Sequence, residues 1–228
     1  MREIVLDTET TGFEYKQGHR LVEIGCVELY NHMPTGKTYH QYINPERDMP
    51  EGAFRVHGLS EEFLRDFPLF KEVAQEFLDF IGDSTLIIHN AGFDVPFLNW
   101  ELVQHKLPEL TNNVVDTLII ARKKFPGSPA NLDALCRRFS VDNSNREKHG
   151  ALLDSELLAE VYLELIGGRQ PGLELAKEVA GADEISNKER IFREPRPHAP
   201  TEEELAAHAA FLEKIKEPLW LAGSEESK

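Results

Sequence analysis

The sequence is short of cysteine, of basic residues and of long apolar runs, and each shortage excludes a class of protein. Its 228 residues include two cysteines, Cys26 and Cys136, too few for a disulfide-stapled fold and without the spacing of a zinc site. No apolar run approaches the ~18 residues of a membrane span, and no signal-peptide pattern precedes the first predicted strand. Lys and Arg number 25 against 40 Asp and Glu, so the net charge of −15 argues against tight, unassisted binding to nucleic acid. We expect a cytoplasmic protein with reduced, buried cysteines and no membrane partner.

The apolar periodicity that is present indicates an α/β domain. The predicted strands are residues 2–6, 21–30, 37–43, 85–89 and 114–115. The predicted helices are 70–81, 95–106, 117–125, 131–139 and 150–166, with a further helix starting after Ser60 and a loop at 54–59. A meander of three strands, followed by strands that alternate with helices, predicts a mixed sheet flanked by helices.

The composition changes after Gly167. Gly, Pro, Arg and Glu dominate residues 168–198 with little periodicity, which predicts a flexible linker that follows a domain at 1–167. In the tail, 199–228, Thr201 begins a C-terminal helix as the first residue of a capping box. Its predicted apolar face is Leu205, Ala209, Leu212 and Ile215. A lone helix of this length is marginal in water, so we expect it to pack against another chain; packing against its own domain is the alternative.

Two carboxylates, Asp7 and Glu9, follow the buried run at the start of the chain. At a spacing of i and i+2 both project from one side of an extended strand, where they repel each other. A divalent cation between them would relieve that repulsion, although a polar strand end is the simpler alternative. Gly12 is expected to let the backbone turn sharply after the pair.

Three further residues complete a candidate site. Asp94 follows a buried strand and would lie at the carboxyl edge of the sheet, unless it only caps the next helix. Asp154 occupies an otherwise core-facing helix stripe, where a carboxylate needs a cation or strong donors. His149, in the turn before that helix, is a candidate general base or a structural histidine. Asp116 and Asp133 are expected to cap or stabilise helix starts only.

Three segments of the chain together resemble the exonuclease motifs of the DEDDh family. They are Leu6-Asp7-Thr8-Glu9-Thr10-Thr11-Gly12, His89-Asn90-Ala91-Gly92-Phe93-Asp94 and His149-Gly150-Ala151-Leu152-Leu153-Asp154. The histidine five residues before the last aspartate marks the "h" branch, because the tyrosine branch has Tyr where this chain has Gly150. Residues 53–58 and 131–136 bring it closest to the proofreading subunits of bacterial DNA polymerase III. Gly52 departs from the pattern, since an acidic residue is expected there.

The resemblance implies a ribonuclease-H-like fold and a 3′–5′ exonuclease that removes mispaired nucleotides from DNA 3′ ends. It implies two ions, Mg²⁺ or Mn²⁺, held by Asp7, Glu9, Asp94 and Asp154, with His149 as the base. It also implies a substrate-binding set. That set is Asp7, Glu9, Thr10, Gly52, Val56, His57, Phe93 and Asp154.

The partners implied by the resemblance are a DNA 3′ end and the polymerase III alpha subunit, bound through residues 199–221 with Leu212 and Trp220 as main contacts. A theta subunit is a further implied partner. Gln170–Leu175 resembles a weak sliding-clamp peptide, with an incidental linker sequence as the alternative. A ribonuclease of the same family that trims RNA 3′ ends, and an inactive interaction module, remain open as alternative functions.

Overall fold

Five strands form one mixed sheet in the computed structural model, which describes residues 1–144, 146, 148–168 and 199–215. The strands are β1 (Arg2–Thr10), β2 (Leu21–Tyr30), β3 (Met33–Tyr42), β4 (Thr85–Ile88) and β5 (Val114–Asp116). Their spatial order is β3-β2-β1-β4-β5. β1, β2 and β3 pair antiparallel, whereas β4 runs parallel to both β1 and β5. The predicted mixed sheet and its opening meander are confirmed.

Helices cover both faces of this sheet. They are α1 (Glu51–His57), α2 (Glu61–Leu64), α3 (Phe70–Ile81), α4 (Ala91–Gln104), α5 (Thr117–Lys124), α6 (Leu132–Phe139) and α7 (Ala151–Leu165). Side-chain caps fix several starts, as expected from the sequence: the Ser60 hydroxyl accepts from the Phe63 amide, and the Asp116 carboxylate accepts from the Leu118 amide.

The central strand β1 divides the core into two layers. Ile4 and Leu6 pack with α3 and α4 on one face, and Val5 packs with α5, α6 and α7 on the other. This alternation is the period of an extended strand that is buried on both sides. Cys26 belongs to the first layer and Cys136 to the second, each free and buried, so the expectation of reduced core cysteines is confirmed.

Several predicted boundaries are wrong. Strand β1 continues through Asp7 and Glu9, because its antiparallel pairing with β2 extends to Thr10. The predicted loop at 54–59 is mostly helix α1, which starts after Pro50 and ends at Gly58 with a positive φ of 77°. The alternation of Phe54 and Val56 with other residues is typical of an extended chain. The segment is nevertheless helical, because the helix propensity of the neighbouring residues prevails.

Two further elements also differ from the prediction. Helix α4 starts at Ala91, which places Asp94 in its first turn and not ahead of it. Strand β3 starts at Met33, because the turn from β2 needs only Asn31 and His32, both with positive φ. A short turn of that kind suits a two-residue hairpin.

The chain divides into two units, Met1–Glu174 and Leu175–Lys228. In the second unit, α8 (Glu202–Leu212) begins with the predicted capping box: Thr201 accepts from the Glu204 amide, and Glu204 accepts from the Thr201 amide. The helix ends before Ile215. The predicted clamp peptide Gln170–Leu175 and the predicted contact Trp220 lie outside the described residues. Within the described part of the chain, no helix has the length and apolarity to cross a membrane.

Candidate active site

Four acidic residues meet beside the carboxyl end of β1, and we call Asp7, Glu9, Asp94 and Asp154 the acid cluster. Asp7 and Glu9 lie on one side of the strand, as the spacing predicts. Asp94 is the fourth residue of α4 and Asp154 the fourth residue of α7, so both lie in the first turn of a helix. Their exposed fractions are 8% for Glu9 and 3% for each of Asp94 and Asp154.

The two helix starts are held by different means. The Asp116 carboxylate accepts from the backbone amides of Asn90 and Ala91, both at 3.1 Å, and so fixes the start of α4. The sequence predicted only that Asp116 caps α5. It does cap α5, through the Leu118 amide, in addition to fixing the start of α4. These contacts place Asp94 where its Oδ1 accepts a hydrogen bond from the Thr8 hydroxyl at 2.6 Å.

The start of α7 rests directly on β2. A Cβ at Gly25 would lie 2.2 Å from the backbone carbon of Ala151, so only glycine permits this approach. The Ser155 hydroxyl donates to the Gly25 carbonyl oxygen at 2.9 Å. Because Gly25 is the register partner of Asp7, this contact sets Asp154 beside the acids of β1.

Three members of the cluster, Asp7, Glu9 and Asp94, form no salt bridge with any side-chain cation among the residues that the structure describes. Burial raises the pKa of Asp7, and the carboxylates of Asp94 and Glu9 raise it further. Burial, Asp154 and Glu23 raise the pKa of Glu9 to about 8. Burial likewise raises the pKa of Asp94 to about 7, although the hydrogen bond from Thr8 opposes the rise. Such mutually repelling buried carboxylates are stable when a cation joins them.

Asp154 differs, because Arg146 already neutralises it. Arg146 donates from Nε to Asp154 Oδ1 at 2.5 Å and from Nη2 to Oδ2 at 2.6 Å. Burial alone would raise the pKa of Asp154, but the hydrogen bonds from Arg146 and His149 outweigh burial, and the pKa lies below its ordinary value. The same guanidinium donates from Nη1 to Asp133 Oδ1 at 2.7 Å, so Asp133 does more than stabilise the start of α6.

His149 lies at the open side of the cluster. Its side chain is 48% exposed, and Nδ1 is 3.2 Å from Asp154 Oδ2. Helix α1 fixes its position, because the His149 amide donates to the Val56 carbonyl oxygen at 3.2 Å. The neighbouring Lys148 ammonium stands 5.1 Å from the centre of the Phe54 ring, a second contact with α1.

A cavity of about 450 Å³ opens beside the cluster. Most of the predicted site residues line it, and Asp94 and Asp154 do not. The predicted residues in its wall are Asp7, Glu9, Thr10, Gly52, Val56, His57, Phe93 and His149. His57 is buried, its Nδ1 accepts from the Leu59 amide at 3.0 Å, and burial lowers its pKa. A Cβ at Gly52 would meet no atom within 4 Å, so the missing acidic side chain leaves open space.

Three residues of this site were not predicted from the sequence. Phe13 is 83% exposed at the cavity wall and makes an edge contact with Phe93, at 6.3 Å between ring centres. The backbone bends at residues 11–13, as expected, without a positive φ at Gly12. The His19 ring also approaches Gly12 so closely that a Cβ there would lie 2.4 Å from it. Arg146 was the third. An exposed Phe after Gly12 and an arginine three residues before His149 were the available signals.

Comparison with known proteins decides the family. A family model described as exonuclease matches residues 4–162. The DNA polymerase III subunit epsilon of Rickettsia felis is 52% identical over 223 residues, which cover 94% of this chain and 97% of the relative. The subunit of the same name from Escherichia coli is 44% identical over 238 residues, covering 97% and 98%. The chain belongs to the DNA polymerase III epsilon-subunit family.

A solved structure supports the fold of this family member. The nuclease domain of 3′hExo, a DEDDh protein bound to rAMP, matches with a TM-score of 0.61 at 19% identity, covering 72% of this chain and 91% of that one. The ribonuclease-H-like fold is thereby confirmed. The family membership confirms the predicted proofreading 3′–5′ exonuclease.

The residues of the cluster fit the divalent metal on which exonucleases of this family depend. Ligand atoms of Glu9, His149 and Asp154 lie within 4.8 Å of one another. The carboxylate donors are hard oxygen ligands, the type that Mg²⁺ and Mn²⁺ prefer. A divalent cation would stabilise the ionised forms of Asp7, Glu9 and Asp94, whose pKa values are raised by burial and by neighbouring carboxylates.

Proposed function

We propose that this exonuclease acts on the 3′ end of DNA, where it removes mispaired nucleotides with two divalent ions bound by the acid cluster. The observation that carries the proposal is the convergence of four buried or half-buried carboxylates and His149 beside one cavity. Asp7 and Glu9 from the strand, and Asp94 and Asp154 from the two helix starts, are the proposed ligands of Mg²⁺ or Mn²⁺. Two divalent ions held by these residues would supply activation of the attacking water and stabilisation of the leaving oxygen.

His149 is the proposed general base. It is half exposed, close to Asp154 and fixed by the backbone of Val56, so its imidazole can reach the solvent at the cavity while its position is held. A neutral imidazole nitrogen there can take the proton of the water that attacks the phosphodiester. Which ring nitrogen carries the proton depends on whether Arg146 or Asp154 is its partner at Nδ1.

The cavity is the proposed site of the terminal nucleotide. Its volume of about 450 Å³ lies in the range of small-ligand pockets. Val56 and Phe93 offer apolar contact to a base, His57 and Thr10 offer polar contact, and Gly52 can contribute only its backbone. The acidic surface does not oppose this use, because bound ions reverse the local sign of charge at the cluster.

A substrate comparison tests the proposal. The full-length protein is incubated with Mg²⁺ and a primer-template with a mismatched 3′ end, a matched primer-template, and an RNA of the same sequence. We expect 5′-mononucleotides, released fastest from the mismatched DNA. Faster degradation of the RNA would favour the ribonuclease alternative, and no degradation of any substrate would favour the inactive module.

The tail is the proposed anchor to the polymerase III alpha subunit, within residues 199–221. In the described part of this segment, α8 exposes the apolar side chains of Leu205 and Phe211, which is typical of a helix that packs on a partner. The linker of 168–198, the clamp peptide Gln170–Leu175 and the contacts of Leu212 and Trp220 belong to the same proposal. A cytoplasmic location follows from this role.

Truncation after Gly168 tests the anchor. We expect the shortened protein to degrade free primer ends at the full rate and to lose co-purification with the alpha subunit. Full affinity of the truncated protein for the polymerase would place the anchor elsewhere. A theta subunit, if retained by the truncated chain, would bind the nuclease domain.

The clamp contact is tested by titrating a peptide of residues 168–177 against the bacterial sliding clamp, with the Gln170→Ala peptide as control. Equal binding by both peptides would count against the contact.

A further inference from the structure

We propose that Arg146 is an internal counter-ion of the nuclease site, which Asp154 exchanges for a divalent cation while Asp133 retains the released guanidinium. This inference rests on the proposed metal-binding role of the acid cluster. It adds a residue that controls how tightly the site takes up metal. Neither the sequence motifs nor the catalytic roles proposed above require such a residue.

The geometry of Arg146 is that of a fully engaged ion pair. The guanidinium meets both oxygens of Asp154, at 2.5 and 2.6 Å, in the two-pronged arrangement that is the strongest for arginine and carboxylate. Both side chains are almost completely buried, at 7% exposure for Arg146 and 4% for Asp154. Removing one partner of a buried pair leaves a costly unpaired charge, so this arrangement keeps Asp154 stable until another cation arrives.

A divalent cation and Arg146 cannot both hold Asp154 in this way. The candidate ligand atoms of Glu9, His149 and Asp154 lie within 4.8 Å of one another, so a cation among them would share the oxygens that Arg146 uses. A cation bound to an oxygen of Asp154 would lie close to the guanidinium that contacts the same oxygen, and the two positive charges would repel each other. The guanidinium must therefore give up at least one oxygen when the cation binds.

Asp133 can remain the ion-pair partner of the released guanidinium. Its Oδ1 accepts from Arg146 Nη1 at 2.7 Å and from the Asn143 side-chain amide at 3.2 Å. Its side chain is 41% exposed and does not belong to the acid cluster, so it can keep the charge of Arg146 while Asp154 changes partner. Loss of Asp133 should therefore make the exchange less favourable.

The experiment is a titration of Mn²⁺, alone and without DNA, into the metal-free full-length protein, followed by the electron paramagnetic resonance signal of free Mn²⁺. We expect Arg146→Gln to bind Mn²⁺ about 5-fold or more tightly than the unaltered chain, the lower end of a typical coupling between sites. Asp133→Asn should bind Mn²⁺ about 2- to 5-fold more weakly, the effect of losing a partly exposed charge contact.

Arg20→Gln is the matched control. Arg20 forms the same two-pronged pair with buried Glu101, at 2.6 and 2.8 Å, without contact to the acid cluster. This variant should lose stability and keep the Mn²⁺ affinity unchanged. A second readout is the melting temperature: added Mn²⁺ should raise it more for Arg146→Gln than for the unaltered chain. Arg146→Lys, which keeps the charge but not the two-pronged geometry, should also bind Mn²⁺ more tightly and serves if Arg146→Gln does not fold.

The outcomes separate the two proposals. If the unaltered chain binds no Mn²⁺, the proposed metal site itself is wrong. If the unaltered chain binds Mn²⁺ but the Arg146 variants bind it equally or more weakly, the exchange is wrong and Arg146 is a structural tether. If Arg20→Gln shifts the affinity as Arg146→Gln does, the change reflects general destabilisation and overturns the inference.

Discussion

The starts of α4 and α7 lie on opposite faces of the sheet and each contributes one acid to the cluster, with opposite electrostatics. Each presents an aspartate as its fourth residue, Asp94 on one side and Asp154 on the other. Asp94 has a hydroxyl as its side-chain partner and a raised pKa, whereas Asp154 has a guanidinium and a lowered one. Equal positions in two helices therefore do not give two aspartates the same electrostatic environment. The carboxylate at the start of α4 has no cationic partner among the described residues, whereas the one at the start of α7 is paired with Arg146.

The largest effect should follow from a change to the strand acid that faces both helix starts. Asp7→Asn should lower nuclease activity by about 100-fold or more, because bound metal contributes several kcal/mol to transition-state stabilisation. The fold should remain, since Asp7 repels its neighbours and its loss relieves that repulsion. A primer-degradation assay with circular dichroism measures both. Activity above a few per cent of the unaltered protein would contradict the role of Asp7.

A change on the α7 side alone should also abolish most activity. His149→Gln should reduce the rate by about 100-fold, the lower end of the contribution of a general base. Because the side chain is half exposed, the melting temperature should stay within a few degrees of the unaltered value. Single-turnover digestion of a primer measures the rate. A variant that keeps most of its rate would show that no histidine base is needed.

In the metal-free protein, Asp94 and Asp154 should contribute to the pH dependence of stability in opposite directions. The pKa of Glu9 is raised to about 8 and that of Asp94 to about 7, so the folded state holds protons that the unfolded state has already released. Stability should therefore fall as pH rises from about 4.5 to 8. The lowered pKa of Asp154 acts in the other direction, and its contribution is lost only at acid pH.

Thermal melts in chelator between pH 5 and 9 measure this dependence. We expect the melting temperature to fall across that range and Mg²⁺ to restore it most at the alkaline end, where the carboxylates are ionised. A melting temperature that rises with pH up to 8 would contradict the raised pKa values.

Neutralising each of the two helix aspartates should change the stability of the protein in opposite directions. At pH 8 without metal, Asp94→Asn removes a charge that costs stability and should raise the melting temperature. Asp154→Asn leaves Arg146 without its main partner and should lower the free energy of unfolding by about 2 kcal/mol, less than the full cost of a broken buried pair because Asp133 remains. Chemical denaturation compares the two variants. Shifts of the same sign would remove the distinction between the two helix starts.

The last comparison concerns one glycine at each helix start, and its smallest expected effect is that of Gly92→Ala. Gly25→Ala should destabilise the protein by about 1–3 kcal/mol, because a Cβ there meets the backbone of α7 at 2.2 Å. Gly92→Ala, in the first turn of α4, meets no atom within 4 Å and should be neutral or slightly stabilising. Gly25→Ala should also reduce activity, since it displaces Asp154. Equal stability of the two variants would contradict the contact between β2 and α7.

The sequence was sufficient to predict the sheet, most helices and the positions of the acid cluster. Strong periodicity identified α3, the apolar stripe that Asp154 shares with Leu157 and Leu158 identified α7, and the spacing of Asp7 and Glu9 placed both on one side of β1. These features are local, since they depend on residues a few positions apart. The same local reasoning correctly assigned the caps at Ser60 and at the start of α5.

Contacts between distant segments could not be predicted in this way. The pairing of Arg146 with Asp133 and Asp154 depends on how α6, α7 and the intervening turn come together. The role of Gly25 depends on a helix that begins more than a hundred residues later. Helix α1 was missed because it is short and its apolar residues alternate. What each site residue does in catalysis stays a prediction until the variants are measured.

The contact between Ser155 and Gly25 also bears on when the proposed active site can be complete during synthesis. It joins residues 130 positions apart, and the helix that makes it is the last of the nuclease unit's helices in the described chain. During synthesis the chain emerges from its N-terminus, so β1 and β2 leave the ribosome long before α7. Until α7 docks, a nascent chain has three acids of the cluster and neither Asp154 nor the histidine beside it. The proposed active site is therefore complete only after the whole domain has been made.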